Sequence, residues 1–188
     1  MVTIVSIFLT LIERLELGFT TLPGHFDRSV AISTCIYILF ALMYGWRSQF
    51  LRLERSPSSS ILRVVITSLI APALLEEAFF RVLLLPYPDS DISSEQYFVW
   101  SVISLLLFII YHPLNALTAF PQGRKVFSDR RFLILATALG IVCTVTYWQT
   151  GSIWLPIVIH WLTVVLWLLC FGGLNQLDLN PEQSKLST

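Results

Sequence analysis

Long apolar stretches separated by short polar segments run through most of the sequence. Ser29–Trp46 contains no charged residue, and further stretches that are mainly apolar cover residues 61–85, 97–120, 132–148 and 153–171. Each is close to the roughly 20 residues that an α-helix needs to cross a bilayer. Because backbone groups in lipid must bond to one another, we predict an all-α fold, a polytopic membrane helical bundle.

Residues 1–28 form an apolar or amphipathic segment that can be placed in two ways. Val2–Ile12 is apolar, but Glu13, Arg14 and Glu16 follow it. No basic residue precedes the apolar part and no small-residue cleavage site follows it, so we expect the segment to be retained. It is either a sixth crossing or a helix lying in the interface, which gives five to six transmembrane helices.

The rest of the chain divides into one membrane domain, residues 29–173, and a polar tail, residues 174–188. Hydrophobic residues make up 55% of the chain and charged residues only 13%, whereas soluble domains contain about 25% charged residues. The lipid bilayer is therefore the expected partner, and a net charge of zero gives no indication of nucleic acid. The three cysteines lie in apolar stretches without CxxC spacing, as packing residues do. Nothing in the pattern indicates an oligomeric state.

Charge alternates between the predicted loops. Residues 47–55 and 124–131 are basic, whereas the loop at 86–95 is acidic and has no Lys or Arg. This alternation agrees with five crossings, and the tendency of basic loops to stay inside predicts that both of them are cytoplasmic.

Two adjacent carboxylates interrupt the apolar stretch at 61–85. Glu76 and Glu77 are followed by Arg81, and a charge near the centre of a membrane helix costs roughly 2.5–3.5 kcal/mol on insertion scales. Glu77 and Arg81 share a helix face and can form a structural ion pair. Glu76 points about 100° away and has no local cation, which suits a general base or acid. The alternative is one buried charge network that locks helices together.

Two histidines lie inside other apolar stretches, where imidazoles and carboxylates together could activate water. His112 follows Phe108 by one turn and precedes Pro113, which is expected to kink the helix and open polar space. For His112, a lone histidine bonded to a neighbouring carbonyl is the structural alternative. His160 lies about one turn inside the last stretch. His25 lies in a polar loop and is interpreted as solvated. Their polar neighbours in the sequence are Asn115 and Thr163.

Motifs of soluble enzymes are absent from the sequence: there is no HExxH, GxSxG or phosphate-binding glycine loop. A proton- or ion-coupled transporter could use Glu76 and His112 as a relay. A relay favours carboxylates strung along a path, whereas this chain concentrates them in one helical turn.

Three motifs together resemble those of the CPBP family of intramembrane proteases, which includes the type II CAAX prenyl endopeptidases and bacteriocin-processing or immunity proteins. Glu76–Arg81 matches E-E-x-x-x-R, Phe108–His112 matches F-x-x-x-H, and Gly151–His160 resembles the approach to the last histidine of the family. The resemblance covers roughly residues 61–173. It implies an endopeptidase that hydrolyses a peptide bond of a membrane-embedded, prenylated or other peptide substrate inside the bilayer.

The resemblance also implies roles for individual residues. Glu76 would activate water with His112, and His160 would stabilise the oxyanion. If a divalent metal such as zinc is bound, these same three residues would be its ligands, although we favour activation of water without a metal. Supporting positions are Glu77, which Arg81 would hold, and Phe108, Asn115 and Thr163.

One position departs from the family pattern. Four residues after the last histidine the family usually has Asn or Asp, and this chain has Val164. Loss of one oxyanion donor typically costs about 10²–10³ in turnover, unless Thr163 or Asn115 replaces it. A catalytically silent CPBP-like membrane scaffold or assembly factor is therefore the alternative function.

Depth along the helices gives a conflicting expectation. At about 1.5 Å per residue, Glu76 and His160 reach a similar level in the outer half of the bilayer. The same estimate puts His112 roughly 12 Å too deep to meet them. The resemblance implies a cavity that opens toward the cytoplasm, which conflicts with a site in the outer half.

Overall fold

The computed structural model describes residues 4–23, 28–54, 56, 58–88 and 90–179. Within these residues the regular structure is helical, and the one exception is an isolated bridge between Glu54 and Phe171. His25 and most of the predicted tail lie outside the described residues. The helices are α1 (Ile4–Thr20), α2 (Arg28–Arg47), α3 (Ser58–Leu83), α4 (Ser94–Leu117), α5 (Arg124–Phe127), α6 (Arg130–Thr150), α7 (Trp154–Cys170) and α8 (Gly173–Gln176).

Four of these helices, α2, α3, α4 and α6, are long and apolar enough to cross a bilayer. α7 is apolar but has 17 residues, so it is slightly shorter. The predicted all-α polytopic membrane bundle is therefore confirmed, with four to five apolar helices in the part of the chain that the structure describes. α1 is not both long enough and apolar enough to count as a spanning helix, so a sixth crossing stays a prediction.

α3 contains widened turns on both sides of the glutamate pair. The turns over Leu69–Leu75 and Ala78–Leu83 are π-helical, and the Leu84 N–H bonds to the Phe79 carbonyl five residues back. Pro72 lies inside the first of these turns, where it has no N–H to donate and its ring crowds the preceding turn. Widened turns of this kind are often found at functional sites, because they change which side chains face inward.

The ends of α4 and α6 follow from local sequence signals. Ser93 caps α4 through a reciprocal pair of bonds with Gln96. α4 continues through Pro113 to Leu117, because a proline within the last turns removes one hydrogen bond without ending the helix, and the expected kink there stays a prediction. Asp129 caps α6 by accepting the Arg131 N–H at 2.8 Å.

The end of the bundle nearest the loop at 86–95 has its own core. This cluster comprises Ala73, Val82, Leu85, Tyr97, Tyr147, Ile153 and Ile157. The second half of α1 packs here: Gly18 lies against Val82, and the Arg14 guanidinium donates to the Leu83 carbonyl at 3.2 Å. Arg14 therefore satisfies a carbonyl at the end of α3, where the helix leaves such groups unpaired.

The opposite end, which carries the two basic loops, is closed by a C-terminal strap, residues 171–179. Asn175 donates to the Glu54 carboxylate, and the Gln176 amide donates to the Phe50 carbonyl at 2.8 Å. Leu174 and Leu177 are buried in a cluster with Phe50, Val64, Val126 and Leu168. The strap thereby ties the loop after α2 to the end of α7.

Candidate active site

Glu77 and Arg81 form a fully buried ion pair. The Arg81 Nε lies 3.1 Å from Glu77 Oε2, and both side chains are 0% exposed. The pairing expected from their i,i+4 spacing is therefore present. Arg81 also donates to the Gly140 carbonyl at 3.4 Å, and its guanidinium lies 5.0 Å from the centre of the Phe108 ring. The ion pair thus contacts α4 and α6 as well as its own helix.

Glu77 has a second partner that the sequence did not indicate. Its Oε1 lies 2.7 Å from Nδ1 of His160 on α7. Since a carboxylate only accepts, Nδ1 carries the proton in this bond. The carboxylate therefore fixes the orientation of the His160 ring and turns Nε2 toward the other glutamate.

Glu76 faces away from the ion pair, as its position on the helix predicted. Its Oε2 lies 3.9 Å from Nε2 of His160, which is too long for a hydrogen bond. The side chain keeps 12% of its surface exposed, whereas Glu77 keeps none. The two adjacent glutamates therefore differ in environment: one is enclosed by partners and the other faces open space.

His112 is oriented by its own helix. Its Nδ1 lies 2.8 Å from the Phe108 carbonyl, so this nitrogen donates, and Nε2 is the acceptor of the neutral ring. The imidazole packs edge-to-face on Phe108 at 4.7 Å and on Phe132 at 5.2 Å. The Phe108 ring also lies 6.1 Å from the His160 ring and therefore contacts both histidines.

The three predicted catalytic residues share one cavity, whose volume is about 840 Å³. Glu76 from α3, His112 from α4 and His160 from α7 all line it. Most of the remaining wall is apolar, and at the end near the strap it includes Phe50, Phe127, Leu177 and Leu179. Of the supporting residues, Asn115 and Thr163 line the cavity, as does Val164, whereas Glu77, Arg81 and Phe108 lie behind the wall.

Contacts between α3 and α4 bear on the expected difference in depth between Glu76 and His112. The Phe80 ring packs on Phe108 at 5.2 Å, and the Ser104 hydroxyl donates to the Phe80 carbonyl at 2.6 Å. Phe80, one turn after Glu76, therefore contacts the turn of α4 that precedes His112, and Glu76 and His112 line the same cavity.

Tyr37 on α2 is a cavity residue that the sequence did not single out. Its hydroxyl donates to Thr163 Oγ1 at 3.0 Å, and Thr163 in turn donates to the Ile159 carbonyl at 2.7 Å. The side chain is 7% exposed and packs with Leu139, Val142 and Cys143. α2 contains no charged residue between its ends, so no motif drew attention to it.

Whether Glu76, His112 and His160 could bind a metal ion depends on how their ligating atoms are arranged. Across the described residues, no three side chains of His, Cys, Asp or Glu come together in a way that could hold one. Nδ1 of each histidine is engaged, one by Glu77 and one by the Phe108 carbonyl. Metal-ligating histidines commonly engage their other ring nitrogen in this way, and a zinc ion held by Glu76, His112 and His160 stays a prediction.

Comparison with known proteins agrees with the three motifs. The family model for Rce1-like type II CAAX prenyl endopeptidases matches residues 57–166, which is more than half of the chain. A search of curated proteins and a search of solved structures each found no match. The matched segment contains Glu76, Glu77, Arg81, His112 and His160, and it ends soon after Val164. The chain therefore belongs to the Rce1-like type II CAAX prenyl endopeptidase family, within the CPBP intramembrane proteases.

Proposed function

We propose that this protein is an intramembrane endopeptidase that hydrolyses a peptide bond with a water molecule activated by Glu76. The observation that carries the proposal is the meeting of three side chains from three helices, Glu76, His112 and His160, in one cavity of a membrane bundle. Isolated polar groups in lipid are expensive, so such a convergence indicates a chemical role. The substrate class we propose is a membrane-embedded or prenylated peptide, because the rest of the cavity is apolar.

We propose that His160 acts as an imidazolium during the reaction. Arg81 and Glu77 neutralise each other at 3.1 Å, and an imidazolium at His160 would balance Glu76 at 3.9 Å. The four buried groups then carry no net charge, which keeps the cost of burying them low. A protonated Nε2 can donate to an oxyanion, and Glu77 holds it in that orientation.

His112 supplies the complementary group. Because its Nδ1 proton is engaged by the Phe108 carbonyl, its Nε2 is an acceptor facing the cavity. An acceptor in the same cavity as Glu76 can bind the second proton of the attacking water and orient its lone pair. We propose that Glu76 removes one proton while His112 holds the other.

The reaction then follows in two steps. Glu76 takes a proton from water as the water oxygen bonds to the carbonyl carbon, and the carbonyl electron pair moves to oxygen. His160 donates to that oxyanion. The carbon–nitrogen bond breaks as the proton on Glu76 passes to the departing amine. Glu76 thus ends as a carboxylate, and no metal takes part in the scheme.

Cleavage of defined peptides tests this function. The purified protein in liposomes is incubated with a fluorogenic peptide carrying a farnesylated cysteine, and with a transmembrane peptide that has no prenyl group. We expect Glu76→Gln to reduce cleavage to background, whereas Glu95→Gln, the same change at an exposed acid at the start of α4, leaves it unchanged. Cleavage of one peptide alone identifies the substrate class.

The scaffold alternative has its own outcome in the same experiment. Val164 remains the observation that favours it, because this residue leaves an apolar wall one turn after His160. If wild type and Glu76→Gln are equally inactive, and the variant restores whatever a deletion strain lacks, the protein acts as a scaffold.

A further inference from the structure

The turn of α7 that directly follows His160, residues 161–164, offers no free hydrogen-bond donor to the cavity; the unpartnered Trp167 indole N–H lies two turns after His160. Val164, one turn later, is apolar and packs against the cluster around Phe50 and Leu168. The hydroxyl of Thr163 has one proton, and that proton is donated to the Ile159 carbonyl at 2.7 Å. His160 is therefore the one residue of this turn that can donate to an oxyanion from α7.

A donor reaches the same place from α2. The Tyr37 hydroxyl lies 3.0 Å from Thr163 Oγ1, and residues three apart on a helix are neighbours at about 5–6 Å, so Thr163 is adjacent to His160. Tyr37 and His160 both line the cavity. The phenol ring is held by Leu139, Val142 and Cys143, which fixes the direction of its hydroxyl.

The proton of Tyr37 can be redirected at low cost. When it leaves Thr163, the Thr163 hydroxyl still donates to Ile159 and loses only a bond that it accepts. A hydroxyl that loses one accepted bond but still donates its proton costs less free energy than a buried donor left without any hydrogen bond. Before substrate binds, the Thr163 oxygen therefore accepts the hydrogen bond of the Tyr37 hydroxyl beside His160.

The other hydroxyl, amide and indole donors of the cavity wall are Thr67 and Ser68 on α3, Trp167 on α7, and two residues of α4. Tyr111 and Asn115 are on α4 with His112, and the Tyr111 ring packs on His112 at 5.8 Å and on Phe80 at 5.7 Å. That side is where we place the attacking water. Donors to the oxyanion must approach from the side of His160, which Tyr37 does.

We propose that Tyr37 is a catalytic residue, the second donor to the oxyanion, and that Thr163 is the positioning residue that holds its hydroxyl. The assignment rests on the proposed function. During attack of water on the carbonyl carbon, the oxygen that gains the electron pair accepts one bond from His160 Nε2 and one from the Tyr37 hydroxyl. Both bonds are released when the carbonyl reforms and the carbon–nitrogen bond breaks.

Tyr37→Phe tests the assignment, with Tyr44→Phe as its matched control on the same helix but outside the cavity wall. With the farnesylated and transmembrane peptides as probes, we expect Tyr37→Phe to lower kcat about 10²–10³-fold, as loss of one oxyanion donor does, with KM little changed. Tyr44→Phe should behave as wild type. Both variants should accumulate in the membrane to the wild-type level, because the ring is retained.

Two further variants separate a chemical role from a structural one. Val164→Asn places an amide donor one turn after His160. Combined with Tyr37→Phe, it should raise kcat at least tenfold above that of Tyr37→Phe alone. Thr163→Val should lower kcat and Thr163→Ser should recover it, since serine retains the acceptor that holds the tyrosine.

The outcomes distinguish this assignment from the proposed function. If Glu76→Gln is inactive while Tyr37→Phe cleaves as well as Tyr44→Phe, the protease stands and the role of Tyr37 is refuted. If Tyr37→Phe is inactive but Val164→Asn restores nothing, the loss is structural and the assignment is also refuted. If wild type cleaves neither peptide faster than Glu76→Gln, the proposed function fails and the role of Tyr37 fails with it.

Discussion

At the scale of residues, two adjacent glutamates have opposite surroundings. Glu77 is enclosed between the Arg81 guanidinium and the His160 imidazole, whereas Glu76 faces the cavity. A buried carboxylate with two partners contributes to folding, because removing a partner leaves an unpaired charge. A carboxylate that faces a cavity is free to exchange a proton.

This difference predicts opposite phenotypes for two substitutions. Arg81→Ala leaves Glu77 buried without its cation, a change that costs about 3–5 kcal/mol, so the amount of folded protein in the membrane should fall steeply. Glu76→Gln should leave that amount near the wild-type level. Quantitative immunoblotting of membranes and thermal stability in detergent measure both. Equal losses in the two variants would contradict the division between a structural and a chemical glutamate.

The same residues show how far sequence reasoning reaches. The Glu77–Arg81 pair could be predicted because four residues on one helix fix their relative position. The Glu77–His160 bond joins residues 83 positions apart, and no local pattern specifies it. Tyr37 was missed for a related reason: its importance depends on the side chain of Thr163, which lies 126 positions away.

At the scale of elements, α6 begins with an electrostatic cap. The Asp129 carboxylate accepts the Arg131 N–H at 2.8 Å and contacts the Arg131 guanidinium at 2.6 Å. These bonds to Arg131 hold the pKa of Asp129 below its ordinary value of 3.8. The cap is therefore charged and complete at neutral pH.

Acidification should weaken this cap. Because the pKa in the folded state lies below the unfolded value, the stabilisation is full above about pH 4 and is lost as the pH falls through the folded pKa. We expect Asp129→Ala to lower stability by about 1 kcal/mol at pH 7. The difference in Tm between wild type and variant should shrink below pH 4. A difference that stays constant down to pH 3 would show that the carboxylate charge contributes nothing.

The helices themselves were well predicted, and their local irregularities were not. Each predicted span agrees with an observed helix to within a few residues, since the length of an apolar stretch is set by the bilayer. The widened turns of α3 were not expected, although Pro72 was visible in the sequence. A proline predicts a disturbance but not its form, which depends on the neighbours that satisfy the freed carbonyl groups.

At the scale of the whole molecule, the cavity extends from the glutamate–histidine site toward the end that carries both basic loops. Its wall there includes Phe50 and Phe127, which adjoin the loops at 47–55 and 124–131, and Leu177 and Leu179 of the strap. If the basic loops are cytoplasmic, as their charge predicts, the cavity extends toward the cytoplasmic side. This direction agrees with the opening that the family resemblance implied.

Labelling of introduced cysteines tests this orientation. A cysteine at Arg124 should react with a membrane-impermeant maleimide only in inverted vesicles, and a cysteine at Asp91 only in right-side-out vesicles. A variant with Cys35, Cys143 and Cys170 replaced provides the background, since all three lie within predicted spanning helices. The reverse pattern of labelling would place the cavity opening on the other side of the membrane.

The most direct test of the account is the rate at which liposomes containing the protein cleave a farnesylated or transmembrane peptide, compared between wild type and Glu76→Gln at equal protein. The account predicts cleavage by wild type and none above background by the variant, while Glu95→Gln cleaves normally. Equal rates for wild type and Glu76→Gln, whether both cleave or neither does, would contradict the central claim that this carboxylate activates water.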